Sequence, residues 1–511
     1  MRIHHLAMLS TVASAAARPS SSSLLVTTWN IAAINNNPFE YHIDWPEDPR
    51  YAKLMTGVQD FMSSPEQDIA IEQVFSDNKY DELSELMHRE MNLSREVLQQ
   101  VKDLRWSSLK KKKIVSGFLK DAEIGKKRFA SMPDRQTNTL AGGRYRPTAI
   151  NCYPDAFDGF EDWWKQWKHF MFAPSGGKLP VCQLLKPIPR SKYPELTVED
   201  EALSLPLQTI SLAVFDSILI HMLETVAPQW WQELRAKMCL ALNSRKNVRI
   251  VEILNNDLYA QSQVVCLQET SIEFLAVLQA EFASKYWVLT AEKPTRDQNS
   301  VVLLSKQVFV TPPKLVDVFA PHPSPSNVEN GDLVTVNTGT GLLVASFHGD
   351  TDGLATLPVL RQVVDYAKQH KLKLVFGLDA NAYDKAKPGK QLNVREFNQV
   401  FRDELGLTSC FGDEVDPTNY TTFNARTFLQ PQLNKAAGSK QDFFAKGDVN
   451  PKDFVLSFRE HARFEHTKKD NTGKGGVYVE GMVFPTLTFP SDHGVLSSEL
   501  VWTSSTNKQE L

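Results

Sequence analysis

Leu372-Lys-Leu-Val-Phe-Gly-Leu-Asp379-Ala-Asn381 places a dense apolar run directly before a carboxylate and an amide. A short apolar run of this kind, bounded by polar residues, reads as a buried strand. Its tip then carries groups able to do chemistry. The same pattern recurs in Leu24-Leu-Val-Thr-Thr-Trp-Asn30, in Val264-Val-Cys-Leu-Gln-Glu269 and in Gly341-Leu-Leu-Val-Ala-Ser-Phe-His348. A fifth polar cluster, Pro490-Ser-Asp-His493-Gly494, opens a final predicted strand over 494–502. Further strands are predicted at 301–304 and 452–458. Helical periodicity falls between them, at 248–258, 274–282 and 357–370. The 248–258 helix owes its apolar face to Val248, Ile250, Val251, Ile253, Leu254 and Leu258. Strands alternating with helices predict an α/β protein with two sheets flanked by helices.

Between the first strand and the second lies a stretch of different character, 41–245. It holds helical candidates around 59–125, 157–172 and 206–243, broken by a Pro/Gly-rich portion at about 173–206. The expected organisation is a tail at 1–23, a discontinuous domain at 24–40 and 246–503, a helical insertion at 41–245 and a second tail at 504–511. The 511 residues are 42% hydrophobic and 23% charged, as expected of a folded globular chain. A net charge of −4 gives no whole-molecule attraction to polyanions, so any basic footprint must be local. Five dispersed cysteines without a CxxC pair argue against a disulfide framework or a zinc site, and for a reducing, intracellular compartment. No apolar run is read as approaching the roughly 18 residues that cross a bilayer. The first 23 residues carry Arg2 and Arg18 and no acid; they read as a disordered tail, a weak secretory signal or a transit peptide.

Each polar residue at a strand tip has an ordinary structural use: Asn30 as a backbone cap, His348 in the core, Asp379 and Asn381 in an Asx turn. Taken together they supply what phosphate-ester hydrolysis needs. A hard cation such as Mg²⁺ is held by one or two carboxylates and neutralises phosphate oxygens. A carboxylate handles the attacking water. Amides and imidazolium groups stabilise charge building around phosphorus. The two-residue spacing of Asp379 and Asn381 would put both on one side of an extended segment. Asp492 and His493, being adjacent, are expected to diverge into separate roles. Asp453 is placed to orient His493 and keep it charged.

In this order the motifs resemble those of the endonuclease/exonuclease/phosphatase superfamily: Trp29-Asn30, Gln268-Glu269, His348, Asp379-Ala-Asn381, Asp453 and Ser491-Asp492-His493-Gly494. The resemblance covers roughly 24–36 and 246–503. It implies a four-layer sandwich of two mixed sheets flanked by helices. It implies Glu269 as principal metal ligand with Asn30 and Asp492 nearby, and Mg²⁺, with Mn²⁺ as the alternative. Asp379 would manage the water, Asn381, His348 and His493 would hold the phosphate, and Asp453 would support His493. Leu378 separates Gly377 from Asp379, where the family commonly has Gly-Asp.

Two features bear on substrate. The 102–146 stretch is basic, with Lys110-Lys-Lys-Lys113 and Lys126-Lys-Arg128, and reads either as a track for nucleic acid or as a solvated helix face. Phe160, Trp163, Trp164 and Trp167 read first as the core of the insertion and alternatively as exposed rings that stack on bases. Arg426 and Lys435, in the 421–440 loop, are candidate substrate contacts. The expected activity is a nuclease or phosphodiesterase on nucleic acid. The alternatives are a phosphomonoesterase or lipid-headgroup hydrolase of the same superfamily, and a catalytically dead binding module.

Overall fold

The computed structural model describes residues 23–32, 39, 41–130, 146–148, 153, 155–174, 179–294, 298–320, 324–325, 327–424 and 447–503. Arg426, Lys435, residues 1–22 of the expected first tail and the second tail at 504–511 lie outside these residues; Ser23, assigned to the tail, begins the first strand.

Two six-stranded sheets form the discontinuous domain. The strands are β1 (Ser23–Asn30), β2 (Val264–Thr270), β3 (Tyr286–Thr290), β4 (Asn299–Ser305), β5 (Lys314–Leu315), β6 (Leu333–Asn337), β7 (Leu342–His348), β8 (Lys373–Asp379), β9 (Leu407–Ser409), β10 (Thr422–Asn424), β11 (Asp448–Asn450), β12 (Asp453–Phe458), β13 (Ala462–Asp470) and β14 (Val495–Trp502). The first sheet runs β13-β14-β1-β2-β4-β3 and the second β5-β6-β7-β8-β12-β9, while β10 and β11 pair as a separate ribbon. Both sheets are mixed: β1 is parallel to β2 and antiparallel to β14, and β8 is parallel to β7 and antiparallel to β12.

Apolar residues on the two faces of the central strands fill three interfaces. Val26, Cys266, Val302, Val344, Val375, Val455 and Leu496 meet between the sheets. On the outer side of the first sheet, Ile250 and Ile253 of helix Lys246–Leu254 and Phe274 and Leu278 of helix Ile272–Phe282 cover Trp29, Leu267 and Val301. On the outer side of the second, Val359, Leu360 and Val363 of helix Thr356–Gln369 and Phe397 of helix Val394–Gln399 cover Phe347, Phe376 and Phe454. This is the four-layer α/β sandwich expected from the sequence.

Gly377 explains part of its own motif. A Cβ there would stand 2.5 Å from Cys266 Cβ and 3.0 Å from Thr28 Oγ1, so the sheets approach too closely for any side chain. Gly377→Ala is expected to cost about 1–3 kcal/mol by wedging the sheets apart. An unchanged urea midpoint would show that the interface has slack at this point.

The insertion has its own hydrophobic cluster of buried residues, running from Phe39 to Leu242. Trp163, Trp164 and Trp167 are buried in it, as expected. One sequence expectation is corrected here. Helix Ser204–Val226, 23 residues long, is by length and composition alone long and apolar enough to cross a membrane. Thr209, Ser211, Asp216, Ser217 and His221 interrupt its apolar run in the sequence, which hid it. It is the insertion's central helix, with 78% of its most apolar window buried inside the protein. Asp216, fully buried on it, is bridged by Arg146 and accepts a 2.8 Å hydrogen bond from Trp167 Nε1. The pair compensates a charge that the apolar interior would otherwise reject.

Among the described residues, several cations of the basic stretch are paired within the insertion. Lys102 pairs with Asp81, Lys110 with Asp77, Lys112 with Asp121, Lys126 with Glu123 and Lys127 with Asp200, while Arg105 meets both Glu199 and Asp200. Most of these pairs are solvent-facing, so they contribute little stability. Their effect is to cancel local positive charge.

Candidate active site

Strand register brings the site residues together. His348 lies opposite Asp379, and Asp379 opposite Asp453, so three adjacent strands of the second sheet end in one row. In the first sheet Asn30 lies beside Gln268. The two rows meet at one end of the sandwich.

A β-bulge sets up Gln268 and Glu269. The β2–β4 register shifts between Leu267 and Thr270, and Glu269 has φ +53°. A bulge lets neighbouring residues point in directions that regular alternation would not give them. Gln268 turns between the sheets, where its Nε2 donates to Thr28 Oγ1 and Ser346 Oγ, both at 3.1 Å. Glu269 turns into the site. Ala32 (φ +47°) and Asn381 (φ +47°) flank the same pocket in left-handed backbone. Such conformations cost about 1–3 kcal/mol each and cluster where function fixes geometry.

Asn30 Nδ2 donates to Glu269 Oε1 at 3.1 Å and to Asp379 Oδ2 at 2.8 Å. His348 Nε2 lies 3.4 Å from Glu269 and 3.7 Å from Asp379. From the other side, His493 Nε2 lies 3.7 Å from Asp379, and its Nδ1 is 2.9 Å from Asp453 Oδ2. Burial of Asp379 favours its neutral form. The facing His493 and His348 imidazoles, Lys452 and the Asn30 amide outweigh that and hold its carboxyl below the usual range. His493 shows the converse: burial disfavours its charge, but Asp453, Asp379 and Asp492 raise it to about 10. The His493–Asp453 partnership expected from the sequence is present.

The Ser491–His493 turn is tied to β1. Ser491 Oγ donates to Asn30 O at 2.7 Å, and Trp29 Nε1 donates to His493 O at 2.9 Å. Asp492 and His493 diverge as expected. His493 enters the pocket, whereas Asp492 Oδ2 accepts a 2.7 Å hydrogen bond from Tyr41 of the insertion.

Two expectations are corrected. Asp379 and Asn381 are not neighbours on an extended segment. Asn381 N–H donates to Asp379 Oδ1 at 2.9 Å in a tight turn, and its left-handed backbone re-aims the amide. Asn30 presents its amide nitrogen to the carboxylates, while its Oδ1 accepts from Ala32 N–H at 2.9 Å. It therefore joins two carboxylates as a donor rather than offering an oxygen.

Among the described residues, two groups could hold a metal ion: Glu269, His348 and Asp379, and Asp379, Asp453 and His493, with the ligand atoms of each group within 4.8 Å of one another. Asp492 belongs to neither. In the second group His493 Nδ1 already engages Asp453 Oδ2, so the first is the better cation site. Glu269 and Asp379 give it the carboxylate oxygens that a hard divalent ion prefers.

Lys452 and Thr421 had no signal in the sequence. Lys452 is buried; its Nζ donates to Asn381 Oδ1 at 2.9 Å and pairs with Asp448. Burial opposes its charge, but Asp448, Tyr383 and Asp379 raise its pKa. With its oxygen tied to the ammonium, Asn381 keeps its NH₂ to offer elsewhere. Thr421 Oγ1 donates to Asp453 Oδ2 at 2.6 Å and accepts from the Lys452 and Asp453 amides. A lysine preceding Asp453 could be read from the sequence, but not its place. Lys452→Met is expected to lower stability by about 3 kcal/mol, because Asp448 loses its buried partner. A wild-type denaturation midpoint would contradict the pairing.

Comparison with known proteins places these observations in context. A family model described as a domain of unknown function (DUF8234) matches residues 68–236, inside the insertion. No curated protein matches the chain. Similar solved structures include the human Nocturnin catalytic domain with bound sulfate, 15% identical over 50% of this chain and 86% of that one, TM-score 0.32. They also include truncated TDP2 from Caenorhabditis elegans, 14% identical over 51% and 92%, TM-score 0.31. A third is an endonuclease/exonuclease/phosphatase from Bacteroides vulgatus, 12% identical over 51% and 94%, TM-score 0.32. By its own sheet order and layers, the discontinuous domain is a four-layer α/β sandwich of two mixed six-stranded sheets, interrupted after its first strand by a separate helical core.

Proposed function

We propose that the sandwich domain hydrolyses phosphate esters with a bound divalent cation, Mg²⁺ or alternatively Mn²⁺, and that its substrate is a nucleic-acid phosphodiester. The observation that carries the reading is the meeting of Glu269, His348, Asp379 and His493 at one pocket, supported by Asn30 and Asp453.

Glu269, with Asp379 close by, would hold the cation, and the chemistry such an ion would supply there is neutralisation of phosphoryl oxygens. Asp379 accepts a hydrogen bond from the attacking water and aims its lone pair at phosphorus. With its carboxyl held below the usual range it is a weak base, so orientation is the larger part of its work. As the water oxygen bonds to phosphorus, the water proton passes to Asp379; the ester P–O bond breaks, and the departing oxygen keeps the bonding pair and takes a proton from solvent. His493, protonated through the neutral range and oriented by Asp453, donates from Nε2 to a phosphoryl oxygen. The Asn381 NH₂ and His348 are further donors to the same group.

The internal pairing of the basic stretch favours a second reading, in which the ester is a phosphomonoester or a lipid or inositol-phosphate headgroup. A panel of single- and double-stranded DNA, RNA, poly(A), inositol phosphates and sphingomyelin, each with and without Mg²⁺, decides between them. Metal-dependent cleavage of a nucleic acid supports the first reading. Turnover of headgroups alone supports the second, and no turnover of any substrate would leave a binding module.

A further inference from the structure

Asn381 is 3% exposed, yet among the described residues none accepts a hydrogen bond from its Nδ2. Its backbone N–H is engaged by Asp379 Oδ1 and its side-chain oxygen by Lys452 Nζ, at 2.9 Å each. A buried donor without a protein acceptor calls for an explanation, and in a turn clasped to a pocket carboxylate a ligand oxygen supplies one. The direction of that NH₂ is decided by Lys452. An ammonium has three donors and no acceptor, so only the oxygen end of the amide can face it. The ammonium is itself fixed on three sides. Asp448 Oδ2 pairs with it, Asn381 Oδ1 accepts from it, and the Tyr383 ring faces it with 4.8 Å between Nζ and the centroid. Asp448 is held in turn on the β10–β11 ribbon, where its other oxygen accepts from Asn450 Nδ2 and Thr422 Oγ1. Asn450 Oδ1 accepts from Asp384 N–H at 3.1 Å, so the ribbon grips the 379–384 turn at two points.

We infer that Lys452 is a positioning residue: with Asp448 as its counter-ion, it holds the Asn381 amide with its NH₂ towards the oxygen of a bound phosphoryl group. This rests on the phosphoesterase reading for the identity of the anion, and on the contacts above for the orientation. Without the ammonium the amide can flip and present its oxygen, which repels an anion, in place of its NH₂. Asp448 cancels the charge of the lysine locally, so what Lys452 gives the site is direction more than attraction.

The test is a mutant cycle read by calorimetric titration of inorganic phosphate into the full chain in the presence of Mg²⁺. Lys452→Met alone strands Asp448. Combined with Asp448→Asn it removes both charges, leaves the net charge unchanged and should melt near wild type. Asn381→Gly removes the amide at a left-handed position that glycine adopts freely. The Lys452→Met/Asp448→Asn pair and Asn381→Gly should each weaken phosphate binding by about 10-fold, the loss of one hydrogen bond to a charged group. All three substitutions together should lose no more than Asn381→Gly alone, whereas a merely structural defect would add to it. Wild-type phosphate affinity in the paired variant, or losses that add in full, would overturn the inference. If wild type itself binds no phosphate, the inference and the phosphate pocket fall together. If the losses are non-additive but no substrate of the panel turns over, only the hydrolytic reading fails and the inference stands.

Discussion

Asp379→Asn is expected to lower kcat by about a thousandfold while leaving the fold intact, a loss within the range for removing a positioned acid–base group. The side chain is nearly isosteric, and its amide oxygen can keep the bond from Asn381 N–H, while the bond from Asn30 Nδ2 to the second oxygen is lost. What disappears is the negative charge facing His493 and His348, and with it the ability to orient a water and accept its proton. The sign of the pKa shift supports a large effect: the native pocket stabilises the carboxylate form. Single-turnover rates on the best substrate of the panel, measured beside a thermal melt, are the appropriate readout. Turnover near that of wild type would remove Asp379 from the chemistry.

Glu269→Gln is expected to act on the metal and not on the water. The variant keeps an oxygen for Asn30 Nδ2 and the same length of chain on the bulged strand. It removes one of the two carboxylates in the better cation site. Loss of a supporting contact alone costs 10–100-fold in metal affinity, so loss of the ligand charge should raise the Mg²⁺ requirement by about 100-fold or more. Saturating metal should restore part of the rate, which it should not do for Asp379→Asn. An unchanged metal titration would exclude Glu269 as a ligand.

Much of the site was legible because its residues end apolar strands, and an apolar run of five to seven residues is a strong local signal. Glu269, His348 and Asp379 each follow such a run. The partners that hold them were not legible. Lys452, Thr421 and Tyr41 act through contacts with residues remote in sequence, and their local patterns are unremarkable. The left-handed turn at Asn381 replaced the extended geometry its spacing suggested, since a two-residue period holds only while the backbone stays extended. Strand β13 was missed for another reason. It is an edge strand carrying Arg463, Glu465, Lys468 and Lys469, and charge on an edge erases the apolar pattern while protecting the sheet from aggregation.

The placement of β1 has a consequence for how the chain is built. It is an interior strand, yet both of its neighbours, β2 and β14, are made long after it; Leu25 and Gln263, bonded across that gap, are 238 residues apart. During synthesis β1 must wait, apolar and unpaired, while the whole helical body emerges. Loop closure over such a span is costly only if the span is floppy. A helical body that consolidates first, as domains emerging early tend to do, brings its entry and exit close together and delivers β1 to β2 as though they were joined by a short connection. The insertion would then serve as the jig on which the two-sheet sandwich is assembled.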